Sequence, residues 1–278
     1  MVKQIGQDSV DVVSLLKGTE NPHYADANPE FIRLVSNADV VCSVGLSLEI
    51  GWLPKVLARS GNAKVQRGGS GFCELGKSVT VLEKAEGSVD RSMGDVHPEG
   101  NPHFWLSPKS MAEASQELVH VLASVSPANA AALRASQGVF VQKMNELILK
   151  NQTRLRSVVA ALGSGPISLE YHREFNYLLE IYGIRSFGSI EEKPGVPPSA
   201  GRIAEVAKSA RAAGVRFILA AEYHPKSTVE RVSELSGIPV ITVPTSVQPV
   251  GKIKDYIELQ DFIVDQILKN LARGTQVK

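Results

Sequence analysis

Residues 126–163 read SPANAAALRASQGVFVQKMNELILKNQTRLRSVVAALG and form the clearest single element of the sequence. Ser126 is a favourable helix cap, Pro127 suits the first helical position, and Gly163 ends the pattern. Between them, apolar side chains recur at helical spacing, namely Phe140, Met144, Leu147, Leu155, Val158 and Leu162. About 36 helical residues would span roughly 54 Å, which is longer than one small domain is wide. We therefore predict a backbone helix over 126–162 that ties two domains together.

Strand-like and helix-like segments alternate on both sides of this helix. Such alternation predicts an α/β fold with parallel sheets flanked by helices. We predict an N-terminal lobe over 1–125, the linking helix over 126–162 and a C-terminal lobe over 163–278. The predicted strands are 9–16, 39–45, 78–83, 166–170, 183–187, 215–222 and 238–243. The other predicted helices are 28–38, 48–61, 107–125, 173–183, 197–214, 225–237 and 254–272.

Charge and composition exclude several classes of protein. The 278 residues include 30 basic and 29 acidic side chains, for a net charge of +1, so nucleic acid and anionic membranes are poor partners. Nowhere does the sequence hold the eighteen or so consecutive apolar residues of a membrane helix, and the N-terminus lacks a signal-peptide core. Two cysteines make no disulfide framework, although a single disulfide between Cys42 and Cys73 stays open. Cys42 lies in the apolar run VVCSVG and is expected to be buried.

Residues 21–24 read NPHY and residues 101–105 read NPHFW. Proline stiffens the chain before it and cannot continue a helix, so each copy should hold His23 or His103 on a rigid loop. His172 follows the predicted strand 166–170, at a sheet edge where ligands gather in α/β folds. A single histidine in such a place is more often structural, and the repeat alone is as readily coincidence. Three such histidines, contributed by both halves, favour a metal site.

GFCELGKS, residues 71–78, fits the phosphate-loop pattern G-x-x-x-x-G-K-[ST]. That pattern binds nucleotides only between a strand and a helix N-terminus. Here the upstream stretch is loop-like and the downstream stretch alternates like a strand. We therefore interpret the match as accidental.

The order of these motifs resembles the zinc- and manganese-binding solute-binding proteins of bacterial ABC importers. The resemblance lies in NPHYADANPEFIRLVSNADVVCSVGLSLEIGWLPKVL, GDVHPEGNPHFWLSP, LEYHREFNYLLEIYGI and SIEEKPGVPPSAGRIAEV. It covers nearly the whole chain. It implies two α/β lobes joined by one long helix, with a single metal ion held in the cleft between them.

Transferred motif by motif, this resemblance implies His23, His103 and His172 as metal ligands. It also implies a membrane permease as partner, a monomeric state, and a periplasmic or membrane-anchored extracellular location. Three imidazoles favour Zn²⁺ over Mn²⁺, which prefers more oxygen ligands.

Two features depart from the family pattern. The late loop that carries the family's aspartate ligand reads ITVPTSVQPVG here, with no carboxylate until Asp255. Glu222, at the end of an apolar strand, is our candidate for the fourth ligand. Water or His224 could take this position instead. Glu222 would then have a supporting role and accept a hydrogen bond from a ligand histidine. The chain also begins without the family's secretion signal and first strand, which we interpret as a misassigned start or a truncated form.

Two other classes compete with an importer component. A zinc-dependent hydrolase would use the same histidines, with Glu170 or Glu222 as general base, but no catalytic motif supports it. A metal-binding surface adhesin has the same sequence features as an importer component. Of the remaining histidines, His120 is expected to be a surface or packing residue of a helix. His97 is expected to be a solvated loop residue, with an auxiliary metal-capture group as the less favoured alternative.

Overall fold

The computed structural model describes residues 1–85, 87, 97–161, 165–248, 251 and 253–275. The chain divides into two compact units. The first comprises Met1–Lys84 and His97–Glu146, and the second comprises the described residues of Ala85–Val96 and Leu147–Lys278. Each unit contains a parallel sheet flanked by helices, which confirms the predicted α/β fold class. None of the described helices has the length and apolar character needed to cross a bilayer.

The first unit contains a two-stranded parallel sheet. Strand β1 (Val41–Ser43) pairs with β2 (Phe72–Glu74), with Cys42 directly opposite Cys73. Trp52, Val56 and Val65 are among the buried side chains that pack with these strands. The helices of this unit that lie wholly within it are α1 (Val2–Gly6), α2 (Pro29–Ser36), α3 (Leu53–Ser60) and α4 (Pro108–Val125).

Local signals fix the ends of these helices. The Asn28 side chain accepts a hydrogen bond from the Phe31 amide at the start of α2, and Ser107 caps α4 in the same way. Helix α3 ends at Gly61, whose φ of 65° is the left-handed conformation that glycine tolerates. These three predicted helices are therefore present, although α3 is shorter than predicted because residues 48–52 form turns.

Two predicted strands of the first unit are wrong. Residues 9–16 pair with no strand among the described residues, and Val12 and Val13 are 40% and 61% exposed. Residues 78–83 form no strand because their backbone groups find other partners. The Thr80 amide donates to the Glu113 side chain on α4, and the Leu82 carbonyl accepts from the Asn101 amide.

Strand β2 lies inside the phosphate-loop look-alike and was not predicted. Three residues of mixed character, Phe-Cys-Glu, give too little alternation to identify a strand. A 3₁₀ turn, Leu75–Ser78, follows β2 in place of a helix. The amide-lined helix N-terminus that would hold a phosphate is therefore absent at this described segment.

The long helix is the largest element of the chain. A 3₁₀ turn, Pro127–Asn129, leads into α5 (Ala130–Ala161), whose 32 residues span roughly 48 Å. Four of its predicted apolar positions are at most 4% exposed, namely Phe140, Met144, Leu147 and Leu155. Leu162 and Gly163, where the helix was predicted to end, lie outside the described residues. Residues up to Glu146 belong to the first unit and those from Leu147 to the second.

The second unit contains a four-stranded parallel sheet in the order β4-β3-β5-β6. Its central strand β5 is buried at all five positions, which explains its uninterrupted apolar sequence. The strands are β3 (Ile167–Glu170), β4 (Arg185–Ser189), β5 (Phe217–Ala221) and β6 (Val240–Val243), and the helices are α6 (Asn176–Ile181), α7 (Ala200–Ala212), α8 (Lys226–Ser236) and α9 (Tyr256–Thr275). All of these elements were predicted, with small shifts at their ends.

The strand order determines where side chains of the second unit converge. Because all four strands are parallel, the segments that follow them lie along one edge of the sheet. His172 follows β3, Glu191 follows β4, and Glu222 and His224 follow β5. This edge therefore places Glu191 along the same side of the sheet as His172, Glu222 and His224, the three residues that were singled out from the sequence.

Candidate metal centre

The two Asn-Pro-His turns have the same local geometry. The Asn21 side-chain oxygen accepts a hydrogen bond from the His23 amide at 3.0 Å, and Asn101 accepts one from the His103 amide at 2.9 Å. Each asparagine thus closes a turn on the residue two positions later. Proline stiffens the turn, but asparagine fixes the histidine. We predicted rigid histidine loops from proline alone, although the asparagine that precedes proline in both motifs also indicated such a turn.

The first unit brings His23 and His103 together. Their Nε2 atoms are 2.9 Å apart. The Nδ1 of His103 is 2.8 Å from the Asn101 side-chain oxygen, which can only accept, so Nδ1 carries the proton and Nε2 presents a lone pair. His103 is 2% exposed, whereas His23 is half-buried. Two ligands of a tetrahedral zinc ion lie about 3.3 Å apart at bond lengths of about 2.0–2.1 Å, so this pair needs little adjustment to share one.

Neighbouring groups hold these two turns in place. The Trp52 indole N–H donates to the Pro22 carbonyl at 3.0 Å, which attaches the His23 turn to the start of α3. The Ser47 hydroxyl donates to Glu99 at 2.6 Å, and the Asn101 amide group donates to Glu83 at 2.8 Å. The positions of the histidines are therefore set by hydrogen bonds from several segments of the unit.

His97 also lies beside this pair. Its ring centroid is 5.1 Å from that of His23 and 6.3 Å from that of His103. The sequence analysis favoured a solvated loop residue, but His97 is half-buried and in the histidine cluster. That interpretation is wrong because the Gly100 amide bonds back to the His97 carbonyl and turns the loop towards His103.

In the second unit, His172 is paired with a carboxylate. Its Nδ1 is 2.9 Å from Oε2 of Glu191, and a carboxylate oxygen can only accept, so Nδ1 carries a proton. The same Glu191 oxygen accepts the Gly195 amide at 3.1 Å. The two side chains are only 12% and 9% exposed. Carboxylate-oriented histidine is the usual arrangement around bound zinc.

Three carboxylates give the surroundings of His172 a negative potential. Burial alone would lower the pKa of His172, but the hydrogen bond to Glu191 and the charges of Glu174, Glu191 and Glu170 raise it overall. Glu170 is fully buried and accepts from the Phe175 amide and the Ser186 hydroxyl at 2.8 and 2.7 Å. This potential favours a cation at His172, whether a proton or a metal ion.

Glu174 and His224 form a second buried pair at the same sheet edge. Burial raises the pKa of Glu174 to about 7, against the opposing influence of His172 and of the Tyr223 hydroxyl, which donates at 2.5 Å. Burial, followed by the nearby charge of His172, lowers the pKa of His224 to about 3, so this imidazole is neutral. Its Nδ1 accepts the Ala221 amide and its Nε2 is 3.4 Å from Glu174. Both nitrogens of His224 therefore already face protein groups.

Glu222 occupies a different environment. Its side chain is exposed, and its carboxylate accepts a hydrogen bond from the Gln248 side chain at 3.0 Å. The structure thus pairs His23 with His103 and His172 with Glu191, and it pairs Glu222 with Gln248. Sequence reasoning missed the supporting roles of Asn101, Trp52 and Glu191.

The sequence matches the family described as the periplasmic component A of a zinc-uptake complex over residues 1–270. The chain belongs to this zinc-uptake component A family. The resemblance inferred from the motifs is thereby confirmed.

Several characterised proteins are similar to this chain. The zinc-binding lipoprotein AdcA of Streptococcus pneumoniae is 22% identical over 85% of the chain, which spans about half (46%) of AdcA. The iron transporter substrate-binding lipoprotein MtsA of Streptococcus pyogenes is 23% identical, and the manganese transporter substrate-binding lipoprotein PsaA of Streptococcus mitis is 22% identical. Both matches cover 98% of this chain and 86% of the relative.

Solved structures of this family share the fold. A crystal structure of ZnuA superposes with a TM-score of 0.77 at 20% identity, covering 96% of this chain and 93% of that one. A manganese-bound periplasmic metal-binding protein from Candidatus Liberibacter asiaticus superposes with a TM-score of 0.75 at 20% identity, covering 97% and 94%. At this level of identity the likeness concerns the fold alone.

Proposed function

We propose that this protein is the substrate-binding component of a metal ABC importer, with a transition-metal ion as its cargo. The observation that carries the proposal is the His23–His103 pair, with Nε2 atoms 2.9 Å apart in a family of metal-uptake proteins. His172 is the third ligand in this proposal. Because its Nδ1 bonds to Glu191, Nε2 is the nitrogen that would bind the metal.

Zinc is the first choice of cargo and manganese the second. Neutral imidazole nitrogen suits Zn²⁺, whereas Mn²⁺ prefers carboxylate and water oxygens. The relatives named for zinc, iron and manganese show that family resemblance alone does not select the metal. The donor set of this chain, with three histidines, is the argument for zinc.

Glu222 remains our candidate for the fourth ligand. It follows β5 at the edge where His172 follows β3. Among the described residues, the exposed Glu222 carboxylate bonds to the Gln248 side chain alone and can be released at small cost, whereas Glu170 and Glu174 are fully buried among other partners. In a metal-bound structure the Glu222 oxygen should lie about 2.0–2.2 Å from zinc. A distance well beyond this would leave the position to water and would contradict the assignment.

Delivery requires a membrane permease and a location outside the cytoplasm. We propose a monomer that acts in the periplasm or at the outer face of the membrane. The descriptions of the family as periplasmic and of a relative as a lipoprotein support this location. We also propose the lobe boundaries 1–125 and 163–278 on either side of the helix 126–162. In this scheme each lobe contributes ligands, and docking on the permease releases the ion.

Metal competition tests this function. The purified protein is stripped with a chelator, dialysed against equal concentrations of Zn²⁺, Mn²⁺ and Fe²⁺, and analysed for elements. We expect one tightly bound ion per chain, with zinc preferred. Hydrolysis of generic ester or phosphate substrates by the zinc-loaded protein would instead favour the hydrolase alternative, and loss of that activity in Glu170→Gln would establish it.

A further inference from the structure

The two cysteines of the chain lie opposite each other in the sheet of the first unit. Cys42 on β1 is the direct partner of Cys73 on β2. Paired strands are about 4.7–4.9 Å apart, which is within the Cα separation of about 4.4–6.8 Å that disulfides require. In-register residues of parallel strands also place their side chains on the same face of the sheet. Both cysteines are free thiols in the structure.

Contact between the two thiols has an electrostatic consequence. The hydrogen bond between the Cys73 thiol and Cys42 is the largest cause that raises the pKa of Cys73, and burial is the second. Cys73 is fully buried, so solvent does not reach it directly. Its nearest chemical partner is therefore the sulfur of Cys42.

Cys42 is the accessible member of the pair. It is half-buried and lines a cavity of about 1070 Å³ in the first unit. The cavity wall includes Val10, Val12, Val41, Leu122 and Leu133. A cavity of this size admits a small molecule, so a reagent can approach Cys42 while Cys73 stays covered.

We propose that Cys42 and Cys73 form a redox-active dithiol, which a small-molecule disulfide converts into an intramolecular disulfide between β1 and β2. This role goes beyond metal capture and uses none of the proposed metal ligands. It depends on the proposed location, because disulfides persist in the periplasm and are rare in the cytoplasm.

The reaction is an ordinary double exchange. The Cys42 thiolate attacks one sulfur of an oxidant R–S–S–R, forms a mixed disulfide and releases the first RSH. Cys73 then loses its proton and attacks the Cys42 sulfur, which breaks the mixed disulfide and releases the second RSH. Together the two cysteines lose two electrons and two protons, and these electrons and protons leave with the two RSH molecules.

The disulfide would close a loop between residues 42 and 73. This loop contains α3 and Trp52, whose indole N–H donates to the Pro22 carbonyl beside His23. Cross-linking a loop of about 30 residues restricts the unfolded chain, so oxidation should raise the melting temperature of the first unit by at least about 5 °C. Metal affinity should change little, because the ligand turns do not move when the two strands are already paired.

Incubating the native, metal-free protein with oxidised glutathione at about pH 8, where thiolate is present, tests the proposal. We expect an intact mass lower by two hydrogen atoms, and a peptide map that links Cys42 to Cys73. The melting temperature should rise, and a reductant should reverse the rise. Cys42→Ser and Cys73→Ser are the matched controls, and neither should show a redox-dependent melting temperature.

Three results would overturn the proposal. An unchanged mass, with both thiols still free when they are counted after unfolding, would show that the oxidant does not reach Cys42. A glutathione adduct on Cys42 that persists would show that Cys73 cannot reach the sulfur. Disulfides that form only between two chains would show that the pair does not close within one. Because the wild-type mass decides these outcomes, the test holds even if a serine variant folds poorly, and it is independent of zinc binding.

Discussion

At the scale of single residues, asparagine orients the two histidines that we propose as metal ligands in the first unit. The Asn101 side-chain oxygen accepts both the backbone amide and the Nδ1 proton of His103, which fixes the ring and its tautomer together. Asn21 accepts only the backbone amide of His23. The two turns therefore share a motif but differ in how strongly they orient the histidine ring.

Asn101→Ala should lower zinc affinity by about tenfold or more, because groups that orient ligand histidines typically contribute this much. Asn21→Ala is the matched comparison and should have a smaller effect, since it removes no bond to the ring. Isothermal titration with a competing chelator measures both. Equal losses in the two variants would show that orientation of the His103 ring does not matter.

Trp52→Phe should weaken zinc binding without unfolding the protein. Trp52 is 4% exposed, so phenylalanine keeps most of the apolar packing but removes the N–H that holds the Pro22 carbonyl. We expect a few-fold loss of affinity from the freed His23 turn and a loss of stability of about 1–2 kcal/mol. If stability falls and affinity is unchanged, the indole supports the core and not the site.

At the scale of elements, the sheet of the second unit was the most predictable part. Buried parallel strands such as β5 have continuous β-branched and apolar sequences, and capping residues such as Ser199 mark the helices between them. The first unit was harder, because its strands have only three residues. Residues 9–16 have the composition of a strand, but strand structure requires a partner, which composition does not reveal.

The candidate site could be predicted only in part for a related reason. Histidines after proline, or after a strand, are visible in sequence. Their supporting contacts are not, because Glu191 is 19 residues from His172, and Trp52 is 30 residues from Pro22. Such contacts depend on which strands are neighbours and therefore on the fold.

Buried tyrosines near α6 and α9 predict how stability depends on alkaline pH. Burial raises the pKa of Tyr182 to about 12, and that of Tyr256 well above its ordinary value of 10.0. Since the folded pKa exceeds the unfolded one, Tyr182 contributes stability that is fully present below pH 10 and is lost between about pH 10 and pH 12.

Tyr182→Phe should therefore reduce the alkaline loss of stability, by about 1.4 kcal/mol at about pH 11. Urea unfolding near pH 9 and pH 11 gives the free energy of unfolding of each protein at both pH values. The fall between the two pH values is then compared between the wild type and the variant. That design cancels any effect of removing the hydroxyl that does not depend on pH. An equal decline in both proteins would show that Tyr182 ionises as freely in the folded chain as in the unfolded one.

At the scale of the whole molecule, the proposed function requires the two units to act on one ion. The first unit offers the His23–His103 pair and the second offers His172. Two imidazoles or one are too few donors for a closed zinc site, which usually has four ligands. If the proposal holds, tight zinc binding depends on both units. A weak site formed by one unit alone would not depend on the other unit.

The central claim is tested most directly by counting bound zinc ions and measuring their affinity in the wild type, His23→Ala and His172→Ala. His120→Ala is the matched control, since His120 is an exposed histidine on α4. We expect one ion per chain, with affinity reduced at least about 100-fold in both ligand variants and unchanged in the control. Two ions per wild-type chain, or unaltered affinity in His172→Ala, would contradict a single site shared by the two units.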